Sequence, residues 1–286
     1  LLFAFLIRIY YFILTMNQPL WWDELAYGSL AKNIISHAWD GTSLIVGESN
    51  IRPLIFSYLW AFLLSLNLSE VINRFLLVFV PSFLSVFFVY LLGKEIFNKR
   101  VGLISATIFS VMWFNLFYSS RFLVHMLEMA FLSSSLYFFV RSTKNELNLK
   151  HFTISLILLS LATLTRYQDG MIFLAYFFIL LIGKKLYLNK IKFWYASILG
   201  VIPILIFFVI NFIKFGNIFP ALFGNYLNPV KVGGVIKPFA FNLLNYIPLF
   251  LTTSFFIFFL IGLGYLLFEI CVGYNLIKTN PKLRGS

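Results

Sequence analysis

Charge is what this chain has least of. Only 11% of its residues are Asp, Glu, Lys or Arg, where a soluble domain carries about 25%. Acids are scarcer still, 10 against 22 basic residues, for a formal net charge of +12. With 61% hydrophobic residues and a mean hydropathy of +0.92, an ordinary soluble domain is excluded. Cysteine is almost missing: Cys271 alone permits no internal disulfide and no CxxC pair. No Ser/His/Asp arrangement, phosphate loop or dinucleotide glycine pattern is present, and no ring of repeated polar residues suggests a channel. No alternating ten-residue segments suggest an outer-membrane barrel. The basic residues sit in short loops between apolar runs and make no continuous face for a phosphate backbone, so nucleic acid is excluded as a partner.

What the chain has is a series of apolar runs, the mark of an all-α, polytopic helical membrane protein. Leu1–Leu14 reads as the remainder of a first span. Leu54–Leu68 is apolar but short. Then follow Phe75–Leu92, Val101–Tyr118, Met126–Val140, Phe152–Leu164, Met171–Ile182, Phe193–Ile213 and Ile247–Phe268. The chain opens at Leu1 without a methionine and ends just after an apolar run. Residues 1–286 are therefore expected to be one transmembrane module of a longer protein. Lys94, Lys99 and Arg100, then Arg141, Lys144 and Lys150, then Lys184, Lys185, Lys190 and Lys192 form three basic clusters. Two apolar runs separate each neighbouring pair, so the positive-inside rule assigns all three to the cytoplasm. If Leu54–Leu68 lies flat or re-enters, as its length suggests, then Asp23, Glu24, Glu48, Arg52, Arg121, His125, Glu128, Arg166, Tyr167 and Asp169 share the extracytoplasmic side.

The stretch that concentrates this chemistry is Trp21-Trp22-Asp23-Glu24-Leu25-Ala26-Tyr27. Carboxylates near a bilayer are costly unless they reach water or a partner, which makes them functional candidates. Tryptophans at such a place also serve as an interfacial belt. Downstream, Tyr27, Leu30, Ala31, Ile34, Ile35 and Ala38 recur on one helical face, predicting an amphipathic helix in the membrane interface. Acids beside arginines suit a reaction on a phosphate-bearing lipid. A carboxylate can take a proton from an attacking hydroxyl, and the arginine fork matches phosphate oxygens.

The order of these features resembles the type C glycosyltransferase superfamily, and within it glycosyltransferase family 39, which includes protein O-mannosyltransferases and the aminoarabinose transferases of lipid A. The resemblance rests on WWDELAY in the first outer loop, Ile51-Arg52-Pro53-Leu54 before the next helices, SSRFLVHMLE, and LATLTRYQDG. It covers Trp21 to about Tyr226. Two departures stand out: only Pro53 follows Arg52, and His125 and Glu128 stand where an aspartate is usual. The resemblance implies a sugar donor carried on a polyprenyl phosphate of the dolichyl phosphate mannose kind. Transfer would invert the anomeric centre, to a protein, lipid or glycan acceptor on the extracytoplasmic side of the cell membrane. By the same resemblance Asp23 and Glu24 are catalytic. Arg52, Arg121, Arg166, Tyr27 and Glu128 bind substrate, and a divalent metal would fall to Glu48 and His125. A polyprenyl-linked sugar flippase or a non-catalytic lipid-binding subunit are the alternatives. The first would show broken helices in related halves, and no such symmetry is visible.

Overall fold

Every described element is helical, as it must be where lipid offers no partner for backbone N–H and C=O groups. The structure, a computed structural model, describes residues 1–36, 55–144, 146–183 and 190–215. These fall in the unit Leu1–Leu222, while the second unit, Phe223–Ser286, lies outside the described residues. Glu48, Arg52 and the expected last span Ile247–Phe268 also lie outside them. The helices are α1 (Leu2–Thr15), α2 (Asp23–Ser36), α3 (Ile55–Ser65), α4 (Glu70–Ile96), α5 (Lys99–Val111), α6 (Trp113–Ser119), α7 (His125–Thr143), α8 (Leu149–Thr165), α9 (Met171–Ile182) and α10 (Ile191–Phe215). A 3₁₀ turn, Tyr167–Gly170, links α8 to α9.

Local chemistry sets the boundaries. Ser69 Oγ accepts the Ile72 N–H at 3.4 Å where α4 begins, and Asn98 Oδ1 accepts from Arg100 and Val101 at 2.9 and 3.0 Å before α5. Pro81 has no N–H for the ladder of α4, and directly before it the helix widens into a π turn over Phe75–Phe79, with the Val80 N–H on the Phe75 carbonyl.

By length and composition, two described helices can cross a membrane, Glu70–Ile96 and Ile191–Ile210. The predicted single run Val101–Tyr118 is instead α5 and α6, bent by 63° at Met112, and as one broken span it makes a third. The Asn115 side-chain amide donates to the Phe109 carbonyl at 2.9 Å across that bend. Its oxygen accepts from Arg8 of α1 at 3.1 Å, and Arg8 also donates to the Ser82 and Ala4 carbonyls, each at 3.2 Å. Arg8, 1% exposed, thus joins α1, α4 and α6. The expected runs in α7, α8 and α9 do not reach spanning length and hydropathy. The physical reason is plainest in α7, where Glu128, Ser133–Ser135 and Arg141 dilute a helix whose flanks are covered by α4 and α8. Ser135 and Ser155 exchange hydroxyl-to-carbonyl bonds at 2.8 and 2.9 Å, and Ser135 also meets the Tyr176 hydroxyl at 2.8 Å. Such bonds hold helices together in lipid.

The amphipathic helix expected in the first loop is α2. Tyr27, Leu30, Ala31 and Ile34 are all buried, against Phe56, Trp60 and Ala61 of α3. Gly28 permits this approach, since a Cβ there would stand 2.9 Å from the Trp60 ring. With 11 residues, α3 is about 16 Å long, half of the roughly 30 Å hydrocarbon core. Its start is tied to α2 by Ser57 Oγ on the Tyr27 carbonyl at 3.3 Å. Shortly after its end, Arg74 reaches the Gln18 carbonyl at 2.7 Å, back beside the start of α2.

Candidate active site

Two carboxylate–arginine pairs define one end of the helix assembly. The first is Glu24, wholly buried in the first turn of α2. Its Oε2 accepts from the Trp21 N–H at 2.8 Å, reaching back as a capping-box carboxylate does, and from Arg121 Nη2 at 2.6 Å. Its Oε1 accepts from the Phe122 N–H at 2.6 Å. Arg121 also donates to Gln18 Oε1 at 3.1 Å, and its guanidinium lies 5.5 Å from the Trp21 ring centre. Three charge-assisted bonds thus lock the first loop to the α6–α7 loop. Phe122 is clamped from its other side by Trp60, with ring centres 4.0 Å apart, and by Arg74 at 5.4 Å.

The second pair is Glu128 on the first turn of α7, which accepts from Arg166 Nη1 at 3.2 Å. Glu128 is buried, while the Arg166 side chain is 34% exposed. Asp169, in the 3₁₀ turn, completes this group: it is buried close to Glu128, and among the described residues its Oδ2 meets no donor. Two carboxyl groups in contact cannot both ionise cheaply. The turn that carries Asp169 lies between the apolar segments of α8 and α9. Burial, then the Glu128 carboxylate, raises Asp169 from the ordinary carboxylate range to about 7, against the pull of Arg166. Burial raises Glu128 as well, and Arg166 opposes the rise of both carboxyls. Burial likewise pushes the Tyr167 hydroxyl up to about 12, with Tyr27 beside it.

His125 opens α7 between these groups. Its ring stacks on Tyr118 at 3.8 Å and 13°, its buried Nδ1 has no hydrogen-bond partner among the described residues, and it feels the charges of both Arg166 and Asp23. Asp23, at the first position of α2, is half-buried. Tyr27 is carried inward, its ring edge-on to Phe56 at 5.4 Å. The structure thus brings together Asp23, Glu24, Arg121, His125, Glu128 and Arg166, with Tyr27 in the core beneath. Arg52 and Glu48 lie outside the described residues. Among the described residues no three of His, Cys, Asp or Glu converge as a metal site would require.

Sequence reasoning passed over Gln18 and Arg74, which brace the first pair, and Arg8 in the first apolar run. The i,i+4 spacing of Glu70 and Arg74 was a readable signal. So was a lone arginine amid apolar residues at Arg8.

Apolar helices long enough to cross a bilayer, with acids and arginines gathered at one end, define a helical membrane protein. The family model for dolichyl-phosphate-mannose-protein mannosyltransferases matches residues 51–210. That is more than half of the chain, which therefore belongs to this family and is a membrane glycosyltransferase of the type C kind. No curated protein and no solved structure matches the chain.

Proposed function

We propose that the protein transfers a sugar from a polyprenyl-phosphate donor to a hydroxyl of a protein, lipid or glycan acceptor, with inversion, on the extracytoplasmic side of a multi-pass membrane domain. What supports the reading is the grouping of His125, Glu128, Arg166 and Asp169, with Asp23 near enough to His125 for its charge to bear on that ring, within a chain of this family. Asp23 takes the proton of the acceptor hydroxyl as its oxygen attacks the anomeric carbon. The bond from that carbon to the phosphate oxygen breaks, and its electron pair leaves with the polyprenyl phosphate. One displacement inverts the centre.

Arg166, one of whose nitrogens is held by Glu128, keeps further donors for the phosphate, and Arg52 is its proposed companion. Glu24 and Arg121 hold the first loop in place so that Asp23 presents its carboxylate. A divalent ion on His125 and Glu48 remains a proposal.

Asp23→Asn tests this reading. The amide keeps the shape but cannot accept the proton. Turnover of a short-chain polyprenyl-phosphate sugar should fall by about 10²- to 10⁴-fold, with donor binding within roughly twofold. Turnover near wild type would remove Asp23 as the base.

A further inference from the structure

Directly before Asp23 stands Trp22, 75% exposed. Its backbone has φ 51°, a left-handed conformation that a bulky residue adopts only at an energetic cost. Strain with an exposed ring gains no packing in return, so the display of the indole needs another reason. Trp21 is already committed: its backbone N–H is on Glu24 and its ring lies beside the Arg121 guanidinium. The two indoles are 5.9 Å apart and inclined at 49°, so they form no sandwich and the face of Trp22 stays open. An indole face is electron-rich and matches the weakly positive C–H edge of a pyranose, while the indole N–H can donate to a hydroxyl.

An interfacial anchor would also expose a tryptophan. What sets Trp22 apart from a plain anchor is its place directly before Asp23, the proposed base, and two residues before Glu24 of the buried Gln18–Glu24–Arg121 network.

We propose that Trp22 is the platform on which the pyranose of the donor stacks beside Asp23, an inference that rests on the polyprenyl-phosphate donor reading above. The test measures binding of two probes to the full chain in nanodiscs: a short-chain polyprenyl phosphate carrying mannose, and the same lipid phosphate without sugar. Trp22→Ala should weaken the mannosyl lipid about tenfold, the scale of one well-made aromatic contact. Binding of the bare lipid should be unchanged, and Trp22→Tyr should retain most of the affinity. Equal loss for both probes, or no loss for either, overturns the platform while leaving the donor reading standing. A wild-type protein that binds the bare lipid but not the mannosyl lipid overturns the donor reading, and the platform with it.

Discussion

Arg121 and Arg166 look alike in the sequence and differ in the fold. Arg121 is largely buried against a wholly buried Glu24, whereas Arg166 is a third exposed and meets Glu128 through one nitrogen. Removing one partner of a buried pair strands the other charge, which costs about 3–5 kcal/mol. Arg121→Ala should therefore lower unfolding free energy on that scale, measured by chemical denaturation in mixed micelles, and the double change Arg121→Met, Glu24→Gln should recover much of it. Arg166→Ala should cost less stability than Arg121→Ala, because the pair it breaks is open to solvent on the arginine side, while weakening polyprenyl-phosphate binding by about 1.5–3 kcal/mol, the range for hydrogen bonds to a charged group. Lysine at 166 should rescue in part, since it lacks the planar fork.

Asp169 gives a pH-dependent readout at the same scale. Its carboxyl is raised in the fold to about 7, above its unfolded value of about 3.9. The folded state therefore binds more proton between those limits, and the associated stability is full below about pH 4 and lost as pH rises through about 7. His125, lowered by burial to about 4, works the other way over part of this window, so the Asp169 contribution is read as a difference: the thermal unfolding midpoint of the wild type should fall more with rising pH than that of Asp169→Asn.

At the scale of elements, the bend between α5 and α6 depends on one amide. Asn115 is buried, and its amide links the Phe109 carbonyl to Arg8. Asn115→Leu should cost about 1–3 kcal/mol by leaving Arg8 and that carbonyl unsatisfied. Pairing it with Arg8→Met, which removes the stranded cation, should return part of the loss in the same denaturation experiment. The periodicity of α2 was legible in Tyr27, Leu30, Ala31 and Ile34, because a one-sided helix writes its buried face at helical spacing. The shortness of α3 was legible as well. The bend at Met112 was not: hydropathy runs unbroken through Val101–Tyr118, and a side-chain bond that replaces a backbone one leaves no trace in composition. The site was half legible. Acids and arginines on one side could be read from loop parity. That Glu24 pairs with Arg121, and Glu128 with Arg166, depends on which loops touch, and sequence distance carries no such information.

The whole molecule turns on parity. The convergence of Asp23, Arg121 and Arg166 requires that α3 return to the side from which it came, and its half-membrane length and its ties to Tyr27 and, through Arg74, to Gln18 support that course. The basic residues at the far ends of α4, α5 and α7 supply the opposite reference. Lys144 pairs with Glu95 at 2.9 Å, beside the Asn98 cap, so one labelled position there stands for that whole end. In a background with Cys271→Ser, single cysteines at Asn17, Ser65, Ser120 and Asn98 can be challenged with an impermeant maleimide on intact cells. Asn17, Ser65 and Ser120 should label from outside, and Asn98 only after the membrane is opened. If Ser65 and Asn17 label from opposite sides, α3 crosses. A bilayer would then lie between the ends that the Arg74–Gln18 bond joins, and the single-site reading would fall with the re-entrant helix.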